Sequence, residues 1–395
     1  MKRRCLALLI VALALQSQAE NRVVEIARGE SWVSPYWGYS TPKIVCDGNA
    51  YYTAGLWGDT PETSHGVVYK LTGSAWQAGA KLPNIYQPAT LLLDSGGKLI
   101  VLYNMENKPV VVLRSNAPGD INSFETLPAP PDMVNGYYLG AAIQNDVVFL
   151  AYASIPSYSM YLSRLDLKSG SWSPAILLSQ GQVETKPKTA WTYPILYPDA
   201  QGLHFVASSC PDGGDGNTYN KVWYLFIPHG NDKPSIEELV AESPLGYNAY
   251  ATDLIVDIDG NPHVVHMWNA PKYGEPLPES AAKTGMYISR RNKNSGAWTP
   301  HYLSPICIAG FWRHDDALSV INQEDGGLVS RTWQRENTTW SPPSTLLSKE
   351  DCLTPPSFMD VLSAASGSTL AGGIALVTDG ILESPSRIVW SLLPD

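Results

Sequence analysis

The sequence predicts an all-β chain: a seven-bladed β-propeller of four-stranded antiparallel blades. Three observations carry this expectation. The 395 residues include 31 Pro and 32 Gly, too much punctuation for a helical bundle but natural for many short strands joined by turns. Only 16% of residues are charged, and the aromatics are 21 Tyr and 13 Trp against 6 Phe, a composition that excludes a disordered chain. A strand–turn–strand pattern also recurs along the whole length, as in repeat architectures.

The first element is an address label. Lys2, Arg3 and Arg4 precede an apolar run over residues 6–15, and Ser17-Gln18-Ala19 supplies a small-x-small cleavage site. The expected division is a signal peptide at 1–19 and a single propeller domain at 20–395, secreted or periplasmic. The apolar run is too short to span a bilayer and no later run is longer, so membrane insertion is not expected. The net charge of −10 argues against nucleic acid as a partner.

Seven hairpins then follow in order. The first five turn at Asp47-Gly48-Asn49, Asp94-Ser95-Gly96-Gly97, Asn145-Asp146, Gly202 and Asp257-Ile258-Asp259-Gly260-Asn261. The sixth is expected at Gly326-Gly327, between apolar residues 320–321 and 328–329, and the seventh at Gly367, between Leu362 and Leu370. Such Asp, Asn and Gly turns supply the positive φ that tight hairpins need. Later in several units an aromatic follows a small polar turn, as at Trp76, Trp172, Trp298 and Trp340. Phe124 fills the gap, 48 residues after Trp76 and 48 before Trp172. Each blade of this kind must pack its faces against neighbours around an axis. The final strand, over 387–393, is expected to close the ring by pairing with the first blade. Counts of six or eight stay open, because the fourth unit lacks the Trp and the fifth carries an insertion between Trp268 and Met286.

In such a ring the starts of the inner strands and the loops after the second strands share one rim. The aromatics placed there as substrate-binding candidates are Trp37, Tyr86, Trp191, Tyr193, Tyr250 and Trp312, with Tyr138 beside them. The polar candidates are Lys188, Asp253, Arg313 and His314, with Asp315, Asp316 and Asp360. Aromatic faces flanked by hydrogen-bonding groups suit sugar rings, although each aromatic taken alone also fits ordinary packing between blades. His204 and His263, just after hairpin turns, read as structural. His314, between Arg313 and Asp315, is the histidine whose neighbours suit acid–base work. The Asp257–Asn261 turn lacks the distal Glu of a calcium loop, and the Asp212–Asn217 loop is Gly-rich; no metal and no cofactor is expected. Cys46 and Cys210 read as buried thiols, and Cys307 with Cys352 as either a bridge or free thiols.

The chain resembles the BNR-repeat, sialidase-like propellers, nearest the branch of ulvan lyases and related α-L-rhamnosidases. The resemblance is carried by Tyr86-Gln87-Pro88-Ala89-Thr90, Gly97-Lys98-Leu99 and the stretch Arg114-Ser115 through Pro118-Gly119-Asp120-Ile121 to Ser123-Phe124. It extends more weakly over residues 136–268. It implies a secreted carbohydrate-active propeller. Lyases of this branch carry a His just before the Pro of the second blade, where this chain reads Ile85-Tyr86-Gln87-Pro88. They carry another after the following strand, where it reads Tyr103-Asn104-Met105-Glu106. Their Tyr at the opening of the third blade is matched by Tyr138. Sialidases hold a carboxylate with three Arg; here Arg114, Arg164, Arg290 and Arg291 are expected on outer strands, leaving only Arg313 well placed.

Three activities follow. A polysaccharide lyase would use Tyr138 for proton transfer, with His314 and Arg313 on a uronate carboxylate. A glycoside hydrolase would draw two carboxylates from Asp253, Asp315, Asp316 and Asp360. A non-catalytic propeller would bind a polysaccharide or oligosaccharide with the same aromatic rim.

Overall fold

The structure, a computed structural model, describes residues 23–36, 42–131, 133–154, 157–181, 190–210, 219–244, 247–269, 284–305, 309–314, 317–354, 356, 358–368, 376–379 and 386–392. The expected signal peptide lies outside them. The described residues form seven antiparallel sheets.

From the axis outward, blade one runs Ile44–Cys46, Tyr51–Trp57, His65–Thr72, Ala75–Pro83, and blade two Thr90–Leu93, Leu99–Tyr103, Val111–Ser115, Phe124–Leu127. Blade three has Tyr137–Gln144, Val147–Ser154 and Ser159–Asp166, then Ser171–Trp172 and Ile176–Ser179. Blade four is Ala190–Pro198, Gly202–Cys210, Lys221–Pro228, Ile236–Glu242, and blade five Ala251–Val256, Pro262–Trp268, Gly285–Arg291, Trp298–Ser304. Blade six has Ala309–His314, Ala317–Glu324 and Gly327–Gln334, with Thr339–Trp340 and Ser344–Leu347 outermost. Blade seven is Phe358–Val361, Leu376–Asp379, Ser386–Leu392 and, outermost, Val23–Glu30.

The inner hairpins of blades one, two, four and five share one device. Asp47, Asp94, Asp199 and Asp257 each turn Oδ1 onto two backbone N–H groups of their own turn, fixing the register of inner and second strands. In blade three, Asn145 and Asp146 at φ 51° and 62° do the same work in a two-residue turn.

The repeated Trp is a staple between blades. The Trp76 indole donates to Ser391 Oγ of blade seven at 3.1 Å, Trp172 to the Pro128 carbonyl after blade two at 2.7 Å, and Trp298 to Glu238 of blade four at 2.9 Å.

Three expectations are corrected. The last strand closes the ring, but its partner, Val23–Glu30, is the outer strand of blade seven rather than part of blade one. In blade six the Gly326-Gly327 turn joins the second and third strands, and the inner hairpin is the pairing of Ala309–His314 with Ala317–Glu324, whose last pair is His314 with Ala317. The strongest local turn signal marked the wrong hairpin of that blade. In blade seven the inner strand ends at Val361, followed by the short 3-10 turn Ala364–Ser366. That turn crosses the axis. Gly367 has φ 78°, and a Cβ there would stand 2.1 Å from the Leu93 carbonyl oxygen, so the loop presses on blade two where only glycine fits.

Cys46 and Cys210 are buried free thiols. Cys352 is also free, its Sγ directed at the Ser348 carbonyl at 3.3 Å, and Cys307 lies outside the described residues. No helix among the described residues is long and apolar enough to cross a membrane.

Candidate functional site

The rim where the inner strands begin is irregular in three consecutive blades. The register slips between Tyr137 and Gly140, between Thr192 and Ile195, and between Ala251 and Asp253. Within the first two slips Tyr138 and Tyr193 take left-handed backbone, φ 47° and 51°. A bulky residue there is strained, and bulges of this kind re-aim side chains at functional sites.

Their rings belong to one arc. Trp32 meets Tyr86 at 5.5 Å between centroids, Tyr86 meets Tyr137 at 5.5 Å, and Tyr137 meets Tyr138 at 6.5 Å. Tyr138 packs on Tyr193 at 4.7 Å, and Tyr193 on Tyr219 and Tyr250 at 5.7 and 6.1 Å. Tyr219 and Tyr250 complete it at 5.2 Å. Most contacts are tilted or edge-on, as ring quadrupoles prefer.

The Tyr138 and Tyr219 hydroxyl oxygens stand 3.4 Å apart. Burial pushes both phenols above their ordinary range. Hydrogen bonds from Tyr219 and Tyr193 pull Tyr138 back down, whereas neighbouring Tyr138 drives Tyr219 further up. Both phenols therefore keep their protons at neutral pH. Tyr137 is pushed to about 12, mainly by burial and then by Tyr86 and Glu106.

Beside the arc, Asn104 is fully buried, and its Nδ2 donates to Gln87 Oε1 at 3.0 Å and to the Gly136 carbonyl at 3.4 Å. These amides lie in the two segments where the resemblance read from the sequence leads one to expect histidine.

Deeper on the axis is a small cavity of about 40 Å³ lined by Asp253, Asp360, Thr252, Ile195 and Met359, with Ala365 also in its wall. Asp253 accepts the Phe311 N–H at 2.6 Å and its neighbour Leu254 N–H at 2.7 Å; Asp360 accepts those of Lys43 and Ile44 at 2.7 and 3.1 Å. Burial raises Asp253 to about 7 and Asp360 to about 6, and lowers Lys43 to about 8. Both carboxylates join inner strands of adjacent blades. Among the described residues, no three His, Cys, Asp or Glu side chains gather as a metal site.

The sequence candidates separate accordingly. Tyr86, Tyr138, Tyr193 and Tyr250 come together in the arc, and Asp253 lies below it. Trp37 and Lys188 fall outside the described residues, as do Asp315, Asp316 and the Asp212–Asn217 loop. Trp191 is a correction: it is 7% exposed and stacks on Trp223 at 5.9 Å and Phe205 at 6.3 Å, inside the core. The shared rim of Trp312, Arg313 and His314 with Tyr138 is also corrected. All three lie toward the end of their inner strand, at the opposite rim, where His314 pairs with Ala317 of the second strand. Arg313 Nη1 reaches the carbonyl of Val256, the last residue of blade five's inner strand, at 3.5 Å. Trp312 packs against the apolar cluster of Ile321, Leu328 and Val361.

His204 and His263 pair with Asp199 and Asp257, each at 3.1 Å, at that opposite rim. The Asp257 turn is a hairpin turn. His266 is buried, bonded to Ser289 Oγ at 2.8 Å, and burial lowers it to about 4.

Sequence reasoning passed over Tyr219 and Trp32. Tyr219 follows the Gly-rich loop after blade four's second strand, and its place in the same rim was the available signal.

No protein-family model and no curated protein matches the chain. Solved structures share its fold. A polysaccharide lyase of family PL25, an ulvan lyase, superposes with a TM-score of 0.64 at 11% identity, covering 92% of this chain and 94% of that one. The same kind of lyase bound to -[GlcA(1-4)Rha3S]- gives 0.64 at 12% identity over the same shares. The polysaccharide lyase Uly1 gives 0.60 at 10% identity, covering 90% of each chain. An α-L-arabinanase of Penicillium chrysogenum, complexed with arabinobiose, gives 0.50 at 12% identity, covering 94% of this chain and 98% of that one. At these identities the likeness establishes the propeller fold.

Proposed function

We propose that the protein is a secreted carbohydrate-active propeller, a single domain over 20–395 behind a cleaved signal peptide, and that it acts as a lyase on a uronate-containing polysaccharide lying along the tyrosine arc. The observation that carries this reading is the Tyr138–Tyr219 hydroxyl pair, 3.4 Å apart among rings suited to stack on sugars. Two adjacent hydroxyls can divide the proton transfers of an elimination, one acting as base and the other as acid.

In β-elimination the Tyr138 phenolate takes the proton beside the uronate carboxylate. The released electron pair forms the C4–C5 double bond, the C4–O bond breaks, and Tyr219 gives its proton to the leaving oxygen. Tyr138, now protonated, returns that proton to the Tyr219 phenolate across their shared contact. The pair is then as it began. Solved propellers of this fold include an ulvan lyase bound to a uronate disaccharide unit. The family reading, nearest the ulvan lyases among sialidase-like propellers, fits this chemistry. Arg313 and His314, proposed from sequence as carboxylate partners, stand at the far rim and have no step here.

The test is incubation with a panel of uronate polysaccharides while the ultraviolet absorbance of unsaturated uronate is followed. Absorbance should rise with at least one polymer and not with the Tyr138→Phe variant. A flat trace with every polymer would sink the lyase. The second reading, a glycan-binding propeller without turnover, is favoured by Gln87 and Asn104, neutral amides in the segments where the resemblance leads one to expect histidines.

A further inference from the structure

Gln87 lies between Tyr86, an arc residue, and Pro88. Its Oε1 accepts from Asn104 Nδ2 at 3.0 Å, and Asn104 is held from both sides. The Asn104 carbonyl accepts the Tyr86 N–H at 3.0 Å, and its Nδ2 also reaches the Gly136 carbonyl, just before Tyr137, at 3.4 Å. With its oxygen committed inward, the Gln87 amide turns its NH2 away from Asn104. Among the described residues that nitrogen has no hydrogen-bond partner, and Gln87 is only half-buried. Asn104 Oδ1, by contrast, is buried without a partner. Packing alone gains nothing from this costly arrangement, whereas orienting Gln87 does.

We infer that Gln87 recognises the acid group of the bound sugar: its outward amide donates to the carboxylate of a uronate ring on Tyr86 and Tyr137, and Asn104 is its positioning residue. The inference rests on the polysaccharide reading above and names the group that selects an acidic sugar over a neutral one. A directed N–H donor to a carboxylate is a charge-assisted hydrogen bond. Arg313, the cation expected from sequence for this task, is at the other rim.

The experiment measures affinity of the intact protein for ulvan and for ulvan whose carboxyl groups have been reduced to alcohols. The unaltered protein should prefer the acidic polymer by roughly tenfold. Gln87→Glu keeps an acceptor for Asn104 but sets carboxylate against carboxylate. It should lose that preference through weaker ulvan binding, with affinity for the reduced polymer unchanged. Gln87→Ala should lose the preference as well, so a folding failure of one variant leaves the other to decide. Asn104→Ala should shrink the ratio of the two affinities, which a purely structural role would not do. Unchanged ulvan affinity in both Gln87 variants overturns the inference, as does equal binding of both polymers by the unaltered protein. Binding of neither polymer overturns the polysaccharide reading and this inference together. That result differs from the others, in which polymer binding persists.

Discussion

Asp360 and Lys43 meet across the seam where the ring closes, Asp360 Oδ2 accepting the Lys43 backbone N–H at 2.7 Å and that of Ile44 at 3.1 Å. Asp253 repeats the device between blades five and six, on the Phe311 N–H. An inner strand has no partner strand on its axial side, so a side-chain carboxylate takes the place of a ladder bond.

Asp360→Ala strands those two N–H groups and removes a carboxylate that acts electrostatically on the buried Lys43 ammonium. The expected loss is about 3 kcal/mol, read from urea unfolding at neutral pH. Asp360→Asn, which retains an acceptor, should lose less; equal losses in the two variants would rule out this role.

The same groups set a pH dependence. Asp253 and Asp360 stand at about 7 and 6 when folded against 3.8 unfolded, so the folded state holds more protons between those values. Their contribution is therefore fully present below pH about 4 and is lost as pH rises through about 6 to 7. Lys43 is lowered from 10.5 to about 8, so its contribution is present above 10.5 and is lost as pH falls through about 8. Thermal unfolding of Asp253→Asn across pH 4 to 7 should show a flatter slope than the unaltered protein. An unchanged slope refutes the assignment.

Turnover on a uronate polymer should rise with pH through the neutral and mildly alkaline range, roughly tenfold per unit, because burial keeps Tyr138 protonated well above neutrality. Tyr138→Phe should lower turnover at least ~100-fold with polymer affinity retained. A profile flat over that range would remove Tyr138 as the base.

Gly140 lies at the register slip that aims Tyr138. A Cβ there would stand 2.0 Å from the Pro194 carbonyl oxygen, beside Tyr193. Gly140→Ala should push the two inner strands apart and lower both melting temperature and activity. Activity unaffected in a folded variant would show that the Tyr138–Tyr193 spacing is not critical.

Trp191 and Tyr250 should behave oppositely. Trp191→Ala removes a core aromatic and should cost about 3–5 kcal/mol of stability with little change in glycan affinity of the folded protein. Tyr250→Ala should leave the melting temperature nearly unchanged and weaken glycan binding by roughly threefold to tenfold. Calorimetry on both variants separates packing from recognition.

Much of the architecture was legible because each blade is specified locally. Asp47, Asp94 and Asp257 fix their turns within five residues, and Trp76, Trp172 and Trp298 announce the outer strands. Blade six misled because Gly326 marks a genuine hairpin, yet the wrong one, while the inner turn carries no glycine. That single phase error moved Trp312, Arg313 and His314 to the opposite end of the axis. Trp191 misled differently, since an aromatic at an inner-strand start serves core and surface equally well until its neighbours are known.

The sequence by itself determined the all-β class, the seven repeats, the hairpin chemistry and most of the tyrosines in the arc, because these depend on turn residues and period-two patterning over a few residues. Tertiary structure alone decided which aromatics face the rim, and it brought Tyr219 to Tyr138 and Asn104 to Gln87. It also made Asp253 and Asp360 seams between blades. These relations join residues in different strands and blades, and their geometry comes from register slips and blade packing that local spacing does not encode.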